Sequence, residues 1–84
     1  MSWFRGKHAL VTGGGSGIGA AIAKIMVDKG AVVTIVGRNA DKLQAKANEL
    51  GARHQVCDIT DRTLVRNSFA AAVEDSGPID ILVN

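Results

Sequence analysis

The stretch Thr12-Gly13-Gly14-Gly15-Ser16-Gly17-Ile18-Gly19 holds five of the chain's ten glycines. An apolar-ending run, Lys7-His8-Ala9-Leu10-Val11, precedes it. After it, Ile18, Ala21, Ile22, Ile25 and Met26 recur at the spacing of an amphipathic helix. The glycines therefore form a turn between a strand and a helix N-terminus. With no Cβ in the way, such a turn lets backbone approach a ligand closely. The helix end adds unpaired N–H groups and a partial positive charge. Together they make a seat for a phosphate.

Three kinds of nucleotide chemistry compete for this turn. A P-loop needs G-x-x-x-x-G-K-[ST]. Gly14 and Gly19 have that glycine spacing, but Ala20 and Ala21 stand where the amine and the hydroxyl are required, which excludes it. Gly15-x-Gly17-x-x-Ala20 matches the dinucleotide form G-x-G-x-x-G/A. Gly15-x-Gly17-x-Gly19 also has the look of a methyltransferase loop, which wants an acidic residue at the end of the second strand. Gly37-Arg38 stands there. NAD-using proteins place an Asp or Glu at that point for the ribose 2′-OH. With glycine in the acidic slot, Arg38 can pair a 2′-phosphate through its planar fork; the competing reading is a solvated surface arginine. His8 and His54 fall on different strands with no Cys/His/carboxylate cluster, so no metal site is expected. Cys57 reads as a small buried apolar residue, and as the single cysteine it excludes an internal disulfide.

The elements that must position these residues follow from periodicity and punctuation. Strands are expected at about Lys7–Val11, Ala31–Val36, Arg53–Cys57 and Ile79–Val83. Helices are expected at about Gly17–Lys29 and Ala40–Leu50, ended by Gly30 and Gly51, with Asn39 capping the second. A third runs from a cap at Thr60 or Asp61 to about Asp75, with Val65, Phe69, Ala72 and Val73 on one face, and Gly77-Pro78 stops it. Ala31-Val32-Val33-Thr34-Ile35-Val36 is the near-continuous apolar run of a parallel strand covered on both faces. Phe4 reads as a core plug at the base of the sheet and Trp3 as a partly covered flank. The order β-α-β-α-β-α-β with right-handed crossovers predicts an α/β, doubly wound parallel sheet of strand order 3-2-1-4. Its crevice opens at the carboxyl ends of the strands, where the glycine turn, Gly37-Arg38, Asp58-Ile59 and Asn84 converge.

Composition narrows the classes. Eighty-four residues with 46% apolar and 21% charged content suit one small globular unit. A net charge of +2 with scattered basic residues argues no nucleic-acid surface. No apolar run is long enough for a membrane span, and Met1–Arg5 lacks the apolar core of a signal peptide. A cytoplasmic location is expected.

Thr12-Gly13-x-x-x-Gly17-x-Gly19 resembles the cofactor loop of the short-chain dehydrogenase/reductase family. Phe4-x-Gly6-Lys7-x-Ala9-Leu10-Val11-Thr12-Gly13 looks like that family's usual start. Cys57-Asp58-Ile59-Thr60 looks like its adenine-side motif. Asp80-Ile81-Leu82-Val83-Asn84 looks like the fourth strand running into Asn-Asn-Ala-Gly, of which the first Asn is present. The likeness covers essentially the whole chain, residues 1–84, as an incomplete Rossmann-type NAD(P)-binding domain. It implies cofactor contacts from Gly13, Gly15, Ser16, Gly17, Ile18, Gly19, Arg38, Asn39, Asp58, Ile59 and Asn84. Asp58 would accept from the adenine's exocyclic amine, or else be a turn or capping Asp. Ser16 would bond within the loop or to a phosphate, Thr12 would tie the turn to a neighbouring strand, and Asn84 would brace the central strand near the cofactor ribose. With no basic residue at Ser16, a preference for NADP over NAD rests mostly on Arg38.

The departure from the family is that the chain contains no tyrosine. The family's catalytic Ser, Tyr and Lys, and the Asn of its proton relay, all fall beyond the equivalent of Asn84, so no catalytic residue is assigned. The resemblance implies a parent oxidoreductase that moves hydride between a nicotinamide dinucleotide and a small carbonyl or alcohol. It implies a homo-oligomer, dimer or tetramer. The alternative is a non-catalytic NADP-binding sensor or regulatory module. The apolar ending reads as a cut. With two helices on one face of the sheet and one on the other, residues 1–84 alone are expected not to form a well-folded monomer.

Overall fold

The computed structural model describes residues 4–13 and 17–84. Seven elements alternate: β1 (His8–Thr12), α1 (Gly17–Asp28), β2 (Val32–Gly37), α2 (Ala40–Leu50), β3 (Arg53–Val56), α3 (Arg62–Ser76) and β4 (Ile81–Val83). The four strands form one parallel sheet in the order β3-β2-β1-β4, the expected doubly wound arrangement. β1 lies at its centre, with His8, Ala9, Leu10 and Val11 buried.

The pleat divides the core in two. Ala9, Val11, Val33 and Ile35 pack with Ala23 and Met26 of α1 and Leu43 and Ala47 of α2, and Phe4 packs against this side. Leu10 and Val36 face the other way, against Ala72 of α3, with Val65, Phe69 and Ile79 packed alongside. Leu82 pairs with Leu10 but remains 51% exposed, so the face served by one helix is the less covered.

Local chemistry sets the helix ends. Asn39 Oδ1 accepts from the Lys42 amide at 3.0 Å, and Gly51 ends α2 in the left-handed region. Asp61, not Thr60, caps α3, its Oδ1 accepting from the amides of Thr63 and Leu64 at 2.9 and 3.1 Å.

Three expectations need correction. The sheet-facing stripe of α1 is turned from the expected one: Ala23 and Met26 are buried, while Ile18 and Ile25 are 80% and 54% exposed. On α3, Ser68 takes a buried place and Val73 is exposed. β4 is shorter than expected, because Ile79 packs on the α3 side and Asp80 turns its polar groups onto His8. Trp3 lies outside the described residues.

Candidate functional site

At the carboxyl end of the sheet the strands hand over to loops in step. The Gly13 amide donates to Val36 O at 2.9 Å, and the Cys57 amide donates to Gly37 O at 2.8 Å. Between these loops opens a cleft of about 390 Å³, lined by Gly13, Val36, Gly37, Arg38, Cys57, Asp58, Ile59 and Thr60. Residues from three separate stretches, Gly13, Arg38 and Asp58-Ile59, are thereby brought together.

The walls differ in character. Val36 and the free Cys57 are buried and apolar, as expected of Cys57. Gly37 is small for a steric reason: a Cβ there would stand 3.2 Å from Leu43 Cδ1, and Leu43 is only 2% exposed. Arg38 and Ile59 are exposed on the rim. Asp58 Oδ1 accepts from the Thr60 hydroxyl at 2.7 Å and the Thr60 amide at 3.0 Å, closing an Asx turn. The Thr60 hydroxyl, then its amide, holds the Asp58 carboxyl below its ordinary range, and the charge of Arg38 adds a smaller push the same way. Asp58 is thus a turn residue through one oxygen and a charged group on the cleft wall as well.

The glycine turn flanks this cleft. Gly13 has φ 71° and Gly17, which opens α1, has φ 51°, conformations that a side chain would strain. Gly15 and Ser16 lie outside the described residues. Gly17, Ile18 and Gly19 form the first turn of α1, with Ile18 largely exposed. Asn39 sits beyond Arg38, where its Oδ1 caps α2. Asn84 follows β4 beside Thr12, whose hydroxyl lies 3.2 Å from both Val83 O and Asn84 Oδ1. That ties the end of β1 to β4, as expected of Thr12. Neither Asn39 nor Asn84 lines the cleft.

Leu43 goes unread in the sequence, and Thr60 reads there only as a motif residue and a candidate helix cap. Thr60 is the partner that sets Asp58, and its signal is the D-x-T spacing of an Asx turn. Leu43, behind Gly37, carries no signal short of the fold. Among the described residues no group of three His, Cys, Asp or Glu side chains is gathered to hold a metal ion. No helix among them is long and apolar enough to cross a membrane.

A Gly-rich strand-to-helix turn, a cleft at the carboxyl ends of a parallel sheet and strand order 3-2-1-4 define a Rossmann-type nucleotide fold. The family model for short chain dehydrogenases matches residues 7–84, and the chain belongs to that family. It is 44% identical to gluconate 5-dehydrogenase of Gluconobacter oxydans (strain 621H), over 94% of this chain and 33% of the relative. A citronellol catabolism dehydrogenase of Pseudomonas aeruginosa PAO1 superposes with a TM-score of 0.94 at 38% identity, over 99% of this chain and 37% of that one. A short chain oxidoreductase from the same organism, solved with NADPH bound, superposes with a TM-score of 0.91 at 34% identity, over 98% of this chain and 35% of that one. The chain spans about a third of the length of the curated relatives it matches. The family that matches is one of dehydrogenases, not of methyltransferases.

Proposed function

We propose that this chain is the cofactor-binding part of a short-chain oxidoreductase that prefers NADP(H). The parent protein moves hydride between a nicotinamide and a small carbonyl or alcohol, as a cytoplasmic homo-oligomer. The observation that carries the cofactor preference is Arg38 on the cleft rim beside Gly37, where a carboxylate for the ribose 2′-OH would otherwise stand. The cavity suits the group. Gly13 and Gly17 leave the two ends of the turn without side chains, Gly37 leaves the wall bare, and Asp58 supplies a charged acceptor. The solved relative with NADPH bound adds support by likeness.

In this reading each residue has one task. The glycine turn from Gly13 through Gly15, Ser16, Gly17 and Gly19 seats the pyrophosphate on backbone amides at the start of α1. Arg38, with Asn39 beside it, takes the 2′-phosphate. Asp58 accepts from the exocyclic amine of the adenine, and Ile18 and Ile59 offer apolar surface to the adenosine. Asn84 stands near the ribose on the nicotinamide side. The bound nicotinamide supplies or receives the hydride at C4. The chain orients the cofactor, and the proton-handling residues belong to other parts of the parent protein.

A guanidinium–phosphate hydrogen bond is worth roughly 1.5–3 kcal/mol, and the exposure of Arg38 favours the lower figure, about tenfold in affinity. Titration of NADPH and NADH into the full-length protein, followed by nicotinamide fluorescence, should show NADPH binding about tenfold tighter. Equal affinities would remove the NADP preference, and no binding of either would remove the function.

A further inference from the structure

Ile81-Leu82-Val83 is apolar on both faces, so hydrophobic alternation does not choose its register on β1. The ladder itself is short, Ala9 to Ile81, Leu10 to Leu82 and Val11 to Val83. A slip by one residue would still set apolar side chains against Leu10 and bring only one polar residue, Asp80 or Asn84, into the ladder. The choice falls to polar groups at the closed end of the sheet, and these converge on His8, which is 2% exposed.

Four bonds meet there. The His8 amide donates to Asp80 Oδ2 at 2.9 Å, and His8 O accepts from the Asp80 amide at 2.8 Å. The ring places Nδ1 2.9 Å from Gly77 O and Nε2 2.8 Å from Thr34 Oγ1. A carbonyl only accepts, so Nδ1 carries the hydrogen toward Gly77, while Nε2 bonds the Thr34 hydroxyl, which can donate or accept. One side chain thus joins β2, β1 and the turn from α3 into β4. Any slip of β4 would carry Gly77 O away and leave a ring nitrogen buried without a partner, which is the costly outcome for a polar group.

We propose that His8 sets the register of β4 on β1 and is thereby the positioning residue for Asn84. Asn84 follows β4 directly, and its Oδ1 meets the Thr12 hydroxyl at the opposite end of β1. The consequence for cofactor affinity rests on the reading of Asn84 as a cofactor contact; the register does not.

The test uses the full-length protein with labelled methyl groups. Wild type should show methyl–methyl Overhauser contacts between Ala9 and Ile81 and between Val11 and Val83. His8→Asn keeps an amide donor in the place of Nδ1–H and should preserve both. His8→Leu removes both ring bonds and should weaken these contacts or add a second, slipped set, with faster exchange of the β4 amides. His8→Gln, which reaches toward Thr34 but not Gly77, should do the same in a milder degree and serves if His8→Leu does not fold. Unchanged contacts and exchange in His8→Gln, or in folded His8→Leu, would overturn the proposal. Dinucleotide affinity measured well below melting should be wild-type in His8→Asn and roughly five- to tenfold weaker in His8→Gln, about the worth of one hydrogen bond. Altered register with unaltered affinity would uphold the register assignment and remove Asn84 from the cofactor contacts.

Discussion

The two ends of the sheet carry the same kinds of polar group and use them in opposite ways. At the closed end, His8 and Thr34 are buried and paired with each other, and His8 reaches outward to Gly77 and the exposed Asp80. At the open end, Arg38 stands on an exposed rim and Asp58 commits one oxygen to its turn while lining a cleft. Polar groups that are buried and mutually paired hold a fold together. Polar groups gathered around a cavity with glycines between them are arranged for a guest. The contrast separates the structural histidine from the residues proposed to bind the cofactor without appeal to residue type.

The largest effect concerns the sheet that both ends share. Leu82 is half exposed on the face that α3 covers alone, and an apolar parallel edge invites pairing with other chains. Residues 1–84 expressed alone should therefore elute as larger species or melt without a sharp transition. A monomer with a cooperative melt in size-exclusion and calorimetric runs would show that the two ends need nothing further to hold them.

Next in size is Gly17→Val in the full-length protein. Among the described residues nothing beyond its own chain neighbours and helix backbone would stand within 4 Å of a Cβ at Gly17, yet its φ is 51°. A branched residue there should strain the turn by about 1–3 kcal/mol and stand where a phosphate would approach. Dinucleotide binding should be lost with the circular dichroism spectrum largely retained. Normal binding would mean that the open end does not seat a phosphate.

The smallest effect sharpens the role of Asp58. Its pKa is lowered in the fold, so the stabilisation it gives is fully present above the ordinary Asp value of about 3.9 and is lost as pH falls through the depressed folded value. Thr60→Val removes the hydroxyl that contributes most to this shift. The Asp58 carboxyl should then titrate at higher pH, read by carbon NMR, and the acid-side window of stability should narrow. An unmoved titration would assign the shift to another neighbour.

What the sequence disclosed and withheld follows from the range of each interaction. The bounds of α2 were legible because Asn39 and Gly51 act within a turn of their own helix. The strand order was legible because alternating strands and helices admit few topologies. The facing of α1 was not, since apolar residues lie on more than one side of it and spacing alone does not say which side meets the sheet. Ile18 and Ile25 are exposed for that reason. His8 was read only as a residue without metal-binding company, because its ring partners are 26 and 69 positions away. Of the four stretches expected to converge, three line the cleft, and Asn84 stands instead beside Thr12. Thr60 acts on it through a local turn whose D-x-T spacing the sequence carries, whereas Leu43 acts through a contact made only once the chain is folded.

The most direct test of the open end as an NADP site compares wild type with Arg38→Ala in the full-length protein, each titrated with NADPH and NADH. The site as described predicts that Arg38→Ala weakens NADPH about tenfold, the worth of one exposed charge-assisted pair, while NADH affinity stays within twofold or so. An unchanged NADPH affinity, or an equal loss for both cofactors, would contradict it.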